Sequence, residues 1–325
     1  MSMVSFSRSG VAGAAAAALT AGTLIGLGAA QNAAATTPPA YDHVVVVMFE
    51  NHSYSDVIGN SSAPYLNSLA TGGANFTQSF GNEHPSQPNY LDIFSGSDQG
   101  VTNDNCPQNF TGVANLGADL IDAGKTFTGY SESMPSDGYT GCTSGNYYRK
   151  HNPWVDFDNV PATSNLTFAS FPHGPTADFS TLPTVSFVTP DICDDMHNCN
   201  VSTGDTWARD NLDAYAQWAK SHNSLLIVTF DEDDTSLFVN NHNQIPTIFY
   251  GAGVTVGNYP EHIDHYSVLR TIEDMYGLPH DGNAATATPV TDAFGSGPAP
   301  TTTTTPPPTT TQGTGSSARC SLSAC

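Results

Sequence analysis

Positive charge is what this chain has least of. Across 325 residues, 8 Lys plus Arg face 30 Asp plus Glu, a formal net charge of −22. That balance excludes nucleic acid as a partner, because binding it depends on clustered cations meeting phosphates. It also disfavours attraction to an anionic membrane surface. An anionic substrate would need something other than an arginine cluster to neutralise it, and a metal ion is the natural agent. Several catalytic signatures are missing as well. There is no GxSxG elbow, which argues against an esterase of the α/β-hydrolase type. Neither GxxxxGK[ST] nor GxGxxG occurs, so nucleotide-driven chemistry lacks support. The six cysteines form no CxxC unit and no Cys/His ligand spacing, which speaks against a zinc site. No internal repeat is found.

The two ends are compositionally biased. Residues 1–35 read as an export signal: Arg8 gives a modest positive start, Val11–Ala30 is uncharged and apolar, and Ala33–Ala35 offer a small-residue cleavage site. A membrane anchor is the rival reading, but the Ala/Gly-rich stretch makes a weak span and no basic cluster follows it. The expectation is a secreted, extracellular protein, a monomer without a stable membrane anchor. Thr301–Thr311 contains only Thr and Pro, which cannot bury a core. Residues 296–325 are therefore expected to be a disordered linker with a short tail holding Cys320 and Cys325. The catalytic domain is assigned to residues 36–295, its folded part running from about Tyr41 to Phe294. An oxidising compartment suits disulfides. Cys193 and Cys199 are close enough in sequence to close a small loop, which would leave Cys106 for Cys142, although four cysteines allow three pairings.

Short apolar runs alternate with helical patterns, which predicts an α/β domain whose central sheet is mostly parallel, with helices on both faces. Val44–Phe49 is the clearest strand, since a continuous β-branched run suits burial on both sides. Leu225–Phe230, Val185–Val188 and Ile248–Tyr250 are further strands. Leu212, Tyr215, Ala216 and Ala219 mark one amphipathic helix. Val268, Leu269, Ile272 and Tyr276 mark another, stopped near Gly277 with Pro279 beyond.

In such sheets ligands bind outside the carboxyl ends of the strands. The first strand ends in Glu50-Asn51 and the Leu225 strand in Asp231-Glu232-Asp233-Asp234. Two buried strands thus deliver carboxylate or amide oxygens to one edge, where a hard cation would be held. Taken alone, the acidic run is equally a solvated loop. An EF-hand is excluded, because Ser236 stands where glycine is required and the terminal Glu is missing. Ser86, in His84-Pro85-Ser86-Gln87-Pro88-Asn89-Tyr90, precedes a helical segment with Pro88 in its first turn. It is either an N-cap or a nucleophile beside amides able to hold phosphate. Among the 11 histidines, His84 lies two residues from Ser86, His197 follows the Val185 strand to the same edge, and His265 opens the last helix.

With these segments together, the chain resembles the bacterial phosphoesterase family of acid phosphatases and phospholipases C, within the alkaline-phosphatase-like fold. The resemblance rests on Val44–Asn51, His84–Tyr90, Asp195-Met196-His197 with Gly204–Trp207, Leu225–Asp234, Asn243–Thr247 and His265–Leu269, in order from about residue 41 to 292. It implies Glu50, Asn51, Asp231 and Glu232 as ligands of one divalent metal ion, with Ca, Mg and Mn equally suited. It implies Ser86 as a nucleophile that becomes phosphorylated. His84, His197 and Asn89 would contact phosphoryl oxygens or the leaving group, and Asp205 and His265 would orient ligands or histidines. No role carries over to His242, which falls where this chain looks longer than its relatives. The Cys193/Cys199 pair bracketing His197 departs from the family pattern. The implied activity is a secreted acid phosphatase acting on phosphate monoesters, a phosphoinositide among them, with an acidic to neutral optimum. A phospholipase C or other phosphodiesterase is the first alternative, and a non-catalytic secreted binding protein the second.

Overall fold

The computed structural model describes residues 37–233 and 243–295. The expected export signal, the Thr/Pro tail with Cys320 and Cys325, and the positions Asp234, Ser236 and His242 lie outside the described residues.

The strands are β1 His43–Phe49, β2 Ala74–Phe80, β3 Phe127–Ser131, β4 Thr143–Ser144, β5 Tyr147–Tyr148, β6 Asn165–Thr167, β7 Val185–Thr189, β8 Ser224–Phe230, β9 Thr247–Gly251 and β10 Gly257–Asp264. The α-helices are α1 Tyr54–Val57, α2 Pro64–Gly72, α3 Ser86–Ser95, α4 Leu116–Asp122, α5 Val201–Ala219 and α6 His265–Tyr276. Eight strands form one sheet in the order β10-β2-β9-β8-β1-β7-β3-β6, and β4 and β5 pair as a separate two-residue hairpin. No helix among the described residues is long and apolar enough to cross a membrane.

β1 lies inside the sheet, parallel to β7 on one side and β8 on the other. Its alternating side chains feed two cores. Val44, Val46 and Met48 join the cluster under α3, α4 and α6, which includes Leu91, Leu120 and Leu269. Val45, Val47 and Phe49 join the cluster under α2 and α5, which includes Leu66 and Leu212. The expected mostly parallel sheet with helices on both faces is therefore what the chain forms. Leu212, Tyr215, Ala216 and Ala219 are all buried on α5, and Asn200 caps that helix by accepting from the Thr203 amide. Gly277 ends α6 in the left-handed conformation, φ 64°, donating its N–H to the Glu273 carbonyl.

One strand departs from the parallel pattern. β9 runs antiparallel to both β8 and β2. Its apolar run marks it as a strand, but direction is set by the connection, which a residue pattern does not report. The reversal has a consequence for the site. Two antiparallel steps restore direction, so β2, and β10 parallel to it, end at the same edge as β1, β3, β7 and β8.

Buried carboxyls also link the helices on one face. The Asp281 amide donates to Glu273 Oε1 at 2.8 Å, and Asp119 and Asp281 each bury a carboxyl oxygen without a hydrogen-bond partner. Glu273 Oε2 has no hydrogen-bond partner. Burial pushes Glu273 up to about 8 and Asp281 up to about 7, with Arg270 offsetting Glu273 only in part. Folded-state values above the unfolded ones mean stability that is present at acidic pH and lost as pH rises through this range. The unfolding temperature is thus expected to fall as pH rises from about 4 to about 8. Glu273→Gln, neutral at every pH, should flatten that fall in a thermal melt series; an unchanged slope would contradict the assignment.

Candidate active site

Four segments converge where the strands end. β1 delivers Glu50 and Asn51, β8 delivers Asp231 and Glu232, the loop after β7 carries Asp195 and His197, and the loop after β2 leads through His84 into α3. Backbone bonds splice these ends together: the Asp231 amide donates to the Phe49 carbonyl at 3.0 Å, and the Glu50 amide to the Asp195 carbonyl at 2.9 Å. Asn51 has φ 51°, in the left-handed region that Asn tolerates better than most residues. That turn lets its amide N–H donate to Asp231 Oδ1 at 2.8 Å while its side chain folds back to donate to Glu50 Oε2 at 2.5 Å.

Ser86 sits among these carboxylates. It is the first residue of α3, with Pro85 in the cap position, so the N-cap alternative does not hold. The residue is 2% exposed, and its hydroxyl lies 3.1 Å from both Glu50 Oε2 and Glu232 Oε1 and can donate to one at a time. Asn51 Nδ2 donates toward the hydroxyl oxygen at 3.4 Å. The neighbouring Gln87 amide is already taken up, donating to Asp104 Oδ1 at 3.0 Å. The helix start is thus less open to phosphate than the sequence suggested.

The electrostatics are those of acids lacking counter-charge. Burial, with Asp195 nearby, pushes Glu50 up to about 8. Burial, then Glu50 and Glu232, holds Asp231 well above the ordinary carboxylate range, and burial does the same to Asp195. His151 is fully enclosed; burial, then the Lys150 and His197 charges, drive it well down, so its ring is neutral. Its Nε2 lies 3.1 Å from Glu50 Oε1 and its Nδ1 3.4 Å from Asp195 Oδ2. Asp231 Oδ2 and Asp195 Oδ2 are buried without a hydrogen-bond partner. Oxygens in that state, beside a neutral imidazole, suit a divalent cation. Glu50, His151 and Asp195 offer ligand atoms within 4.8 Å of one another, all buried. Glu50 also belongs to the Asn51, Asp231 and Glu232 group, so one carboxylate joins both sets.

The other expected residues separate into three groups. His84 Nδ1 pairs with Glu232 Oε2, and that bond raises the imidazole above its usual value. His197 is exposed, its amide donating to Asp195 Oδ1 at 2.8 Å and its ring centre 6.5 Å from that of His151. His265 is buried, with Nε2 2.7 Å from the Asp231 carbonyl; burial lowers it, so the neutral ring donates there and fixes that strand end. Two expectations need correction. Asn89 is taken up by the backbone: its Oδ1 accepts from the Asn82 and Glu83 amides at 2.9 Å and its Nδ2 donates to the Glu83 carbonyl at 3.0 Å, so it shapes the loop before Ser86. Asp205 touches neither a ligand nor a histidine. From α5 it accepts the Tyr65 and Leu66 amides at 3.1 and 2.8 Å, satisfying the open N–H groups at the start of α2.

Sequence reading missed His151, Lys150 and Tyr90, and gave Asp195 no role. Tyr90 stands one helical turn from Ser86, a spacing that puts both on one face. Its hydroxyl donates to Glu50 Oε1 and its ring stacks on His151, centres 5.1 Å apart. His151 and Lys150 lie in a short 3-10 turn, Arg149–His151, which carries no periodic pattern to draw attention to them. Lys150 is anchored to Asp104 at 2.7 Å. Disulfides join Cys106 to Cys142 and Cys193 to Cys199, with Cα–Cα distances of 5.7 and 4.7 Å; the second brackets His197.

Comparison with known proteins bears on this arrangement. A phosphatidylinositol-3-phosphatase of Mycobacterium tuberculosis is 50% identical over 262 residues, covering 81% of this chain and 86% of that protein. An acid phosphatase of Aspergillus fumigatus is 30% identical over 286 residues, covering 79% of this chain but 62% of that longer protein. Among solved structures, a protein of the alkaline phosphatase superfamily from Vibrio parahaemolyticus superimposes with a TM-score of 0.53 at 12% identity, covering 77% of this chain and 72% of the other. That likeness concerns the fold alone, and it agrees with the sheet described above. The Phosphoesterase family description matches residues 60–279, a span holding Ser86, His84, Asp231 and Glu232, and the chain belongs to that family.

Proposed function

We propose that this phosphoesterase is an exported phosphoric monoester hydrolase that works through a phosphoserine at Ser86. The observation that carries the reading is the Ser86 hydroxyl, buried and held 3.1 Å from two carboxylates at the carboxyl edge of the sheet. A serine placed only to cap its helix would not turn toward Glu50 and Glu232. Export is supported by the two disulfides, which persist in oxidising compartments.

Glu50, Asn51, Asp231 and Glu232 would hold one divalent ion, with His151 and Asp195 beside the shared Glu50. When bound, such an ion supplies the positive charge that this chain otherwise lacks, favouring ionised Ser86 and offsetting the phosphoryl oxygens. The chain's own groups perform the rest. Ser86 Oγ attacks phosphorus in line with the departing alcohol and forms the P–O bond of a phosphoserine as the ester P–O bond breaks. Asn51 Nδ2 and the protonated His84 ring donate hydrogen bonds near the oxygens. His197, the exposed histidine at the rim, gives a proton to the leaving alkoxide. Water then attacks the phosphoserine and releases inorganic phosphate. The mycobacterial relative's name supports a phosphoinositide monoester as a substrate, and the fungal relative's name supports acid phosphatase activity.

Ser86→Ala should lower turnover of p-nitrophenyl phosphate by at least about a thousandfold with an unchanged melting temperature; retention of activity would end the proposed mechanism. Chelator treatment should both abolish turnover and change thermal stability, because Glu50, Asp195 and Asp231 would then be left as uncompensated buried acids. Re-addition of Ca²⁺, Mg²⁺ or Mn²⁺, each tried alone, identifies the ion by the recovery of both readouts. No response to chelator in either readout would remove the metal from the account.

A further inference from the structure

Cations are scarce among the described residues, and most are engaged away from the active edge. Arg149 pairs with Asp156, Arg209 with Asp210 and Arg270 with Asp274, while Lys125 and Lys220 lie over the rings of Tyr276 and Tyr250. Lys150 is the exception. Its charge acts on Glu50 and Asp195, where it opposes the effect of burial. Burial works against the ammonium too, but Glu50 and the bond to Asp104 outweigh it, so the group stays charged.

Its position is fixed by a carboxylate that also touches the nucleophile's helix. Asp104 Oδ2 accepts from Lys150 Nζ at 2.7 Å, and Asp104 Oδ1 accepts from the Gln87 amide at 3.0 Å. Only the width of one carboxylate therefore separates the ammonium from the amide next to Ser86. The segment around Asp104 is secured on both sides. The buried Gln87 side chain, oriented to satisfy both its groups, donates to the Asn103 and Asn105 carbonyls at 3.1 and 2.9 Å. A disulfide joins Cys106 to Cys142, whose carbonyl accepts the Arg149 amide at 2.9 Å. Arg149 itself donates to the Gln108 carbonyl at 2.7 Å, closing that loop onto the turn that carries Lys150.

Two segments thus hold an ion pair whose cation has donors to spare. An ammonium carries three N–H groups. One goes to Asp104, and no other acceptor lies within hydrogen-bond distance of Nζ among the described residues. The Lys150 side chain is 11% exposed, so water has little access to the donors that remain.

We propose that Lys150 binds a non-bridging oxygen of the transferring phosphoryl group, the one that a diester would carry as its second ester. A monoester presents three such oxygens and a diester two. At the third position a monoester oxygen meets an ammonium with free donors, whereas an alkoxy group would leave that charge poorly paired. Lys150 thus selects monoesters, and Asp104 is a positioning residue that aims the ammonium. This rests on the phosphoserine reading above and adds the group that discriminates between its two substrate classes.

The test uses two ligands that need no turnover: phenylphosphonate, with three non-bridging oxygens, and its monomethyl ester, with two. Calorimetry gives the dissociation constant of each. The native protein should bind phenylphosphonate at least about tenfold more tightly than the ester, as expected for one hydrogen bond to a charged group. Lys150→Met should weaken phenylphosphonate by about tenfold to a hundredfold and the ester by less than about threefold. Lys150→Arg, which keeps the charge, should lie between the two, and kcat/KM for p-nitrophenyl phosphate should follow phenylphosphonate affinity. Asp104→Ala should weaken phenylphosphonate in the same selective way, with no further effect in the Lys150→Met background. A merely structural role would weaken both ligands together and persist in that background. Equal loss for both ligands, no loss for either, or a native preference for the ester would overturn the proposal. So would tighter phenylphosphonate binding in Asp104→Ala, which would show a carboxylate competing for the phosphate seat. Failure of the parent reading is distinct: no phosphomonoester would then be hydrolysed, whichever ligand binds.

Discussion

The active edge of this protein is governed by one constraint: several acids are buried together in a chain that has almost no cations to give them. Glu50, Asp195 and Asp231 are each essentially inaccessible to water. Charged carboxylates in that setting carry a desolvation cost that mutual repulsion increases. The backbone splices β1, β8 and the loop after β7 so closely that the groups cannot move apart. Two responses are open to such a cluster, protonation or a bound cation. The unpartnered oxygens of Asp231 and Asp195 and the neutral His151 beside Glu50 are arranged for the second.

The same scarcity of cations shapes the rest of the molecule. Arg149 is enclosed in an ion pair with Asp156, and Lys150 is held by Asp104 near the active edge. Away from the site, burial raises Asp119, Glu273 and Asp281 above the usual carboxylate range, with Arg270 offsetting Glu273 only in part. A fold of this kind gains from acidic surroundings, and an acidic cluster of this kind gains from a metal. Both features follow from the −22 formal charge, one in the core and one at the sheet edge.

What the sequence made legible follows physical periodicity. Val44–Phe49 and Leu225–Phe230 announced buried strands because β-branched and apolar runs have few other uses, and their last residues located the acidic edge. The helices around Leu212 and Val268 were legible from spacing, and Gly277 from its need for a left-handed stop. Direction was not: β9 looked like any other strand, and only the return path from β8 makes it antiparallel. Individual polar roles were also hidden. Asn89 and Asp205 are polar residues inside helices close to motif positions, yet each satisfies backbone amides elsewhere. His151 was missed because a 3-10 turn has no pattern, and only folding carries it beneath Glu50. The N-cap reading of Ser86 was set aside by one structural fact, that Pro85 occupies the cap.

The central claim is that phosphorus is transferred to Ser86 before water receives it. The most direct measurement is acid quenching of the native enzyme during turnover of a ³²P-labelled monoester, followed by proteolysis and location of the label. The account predicts acid-stable label on the peptide that contains Ser86, present during turnover and discharged when substrate is exhausted. Absence of covalent label, or acid-labile label on a peptide holding His84, His151 or His197, would contradict it.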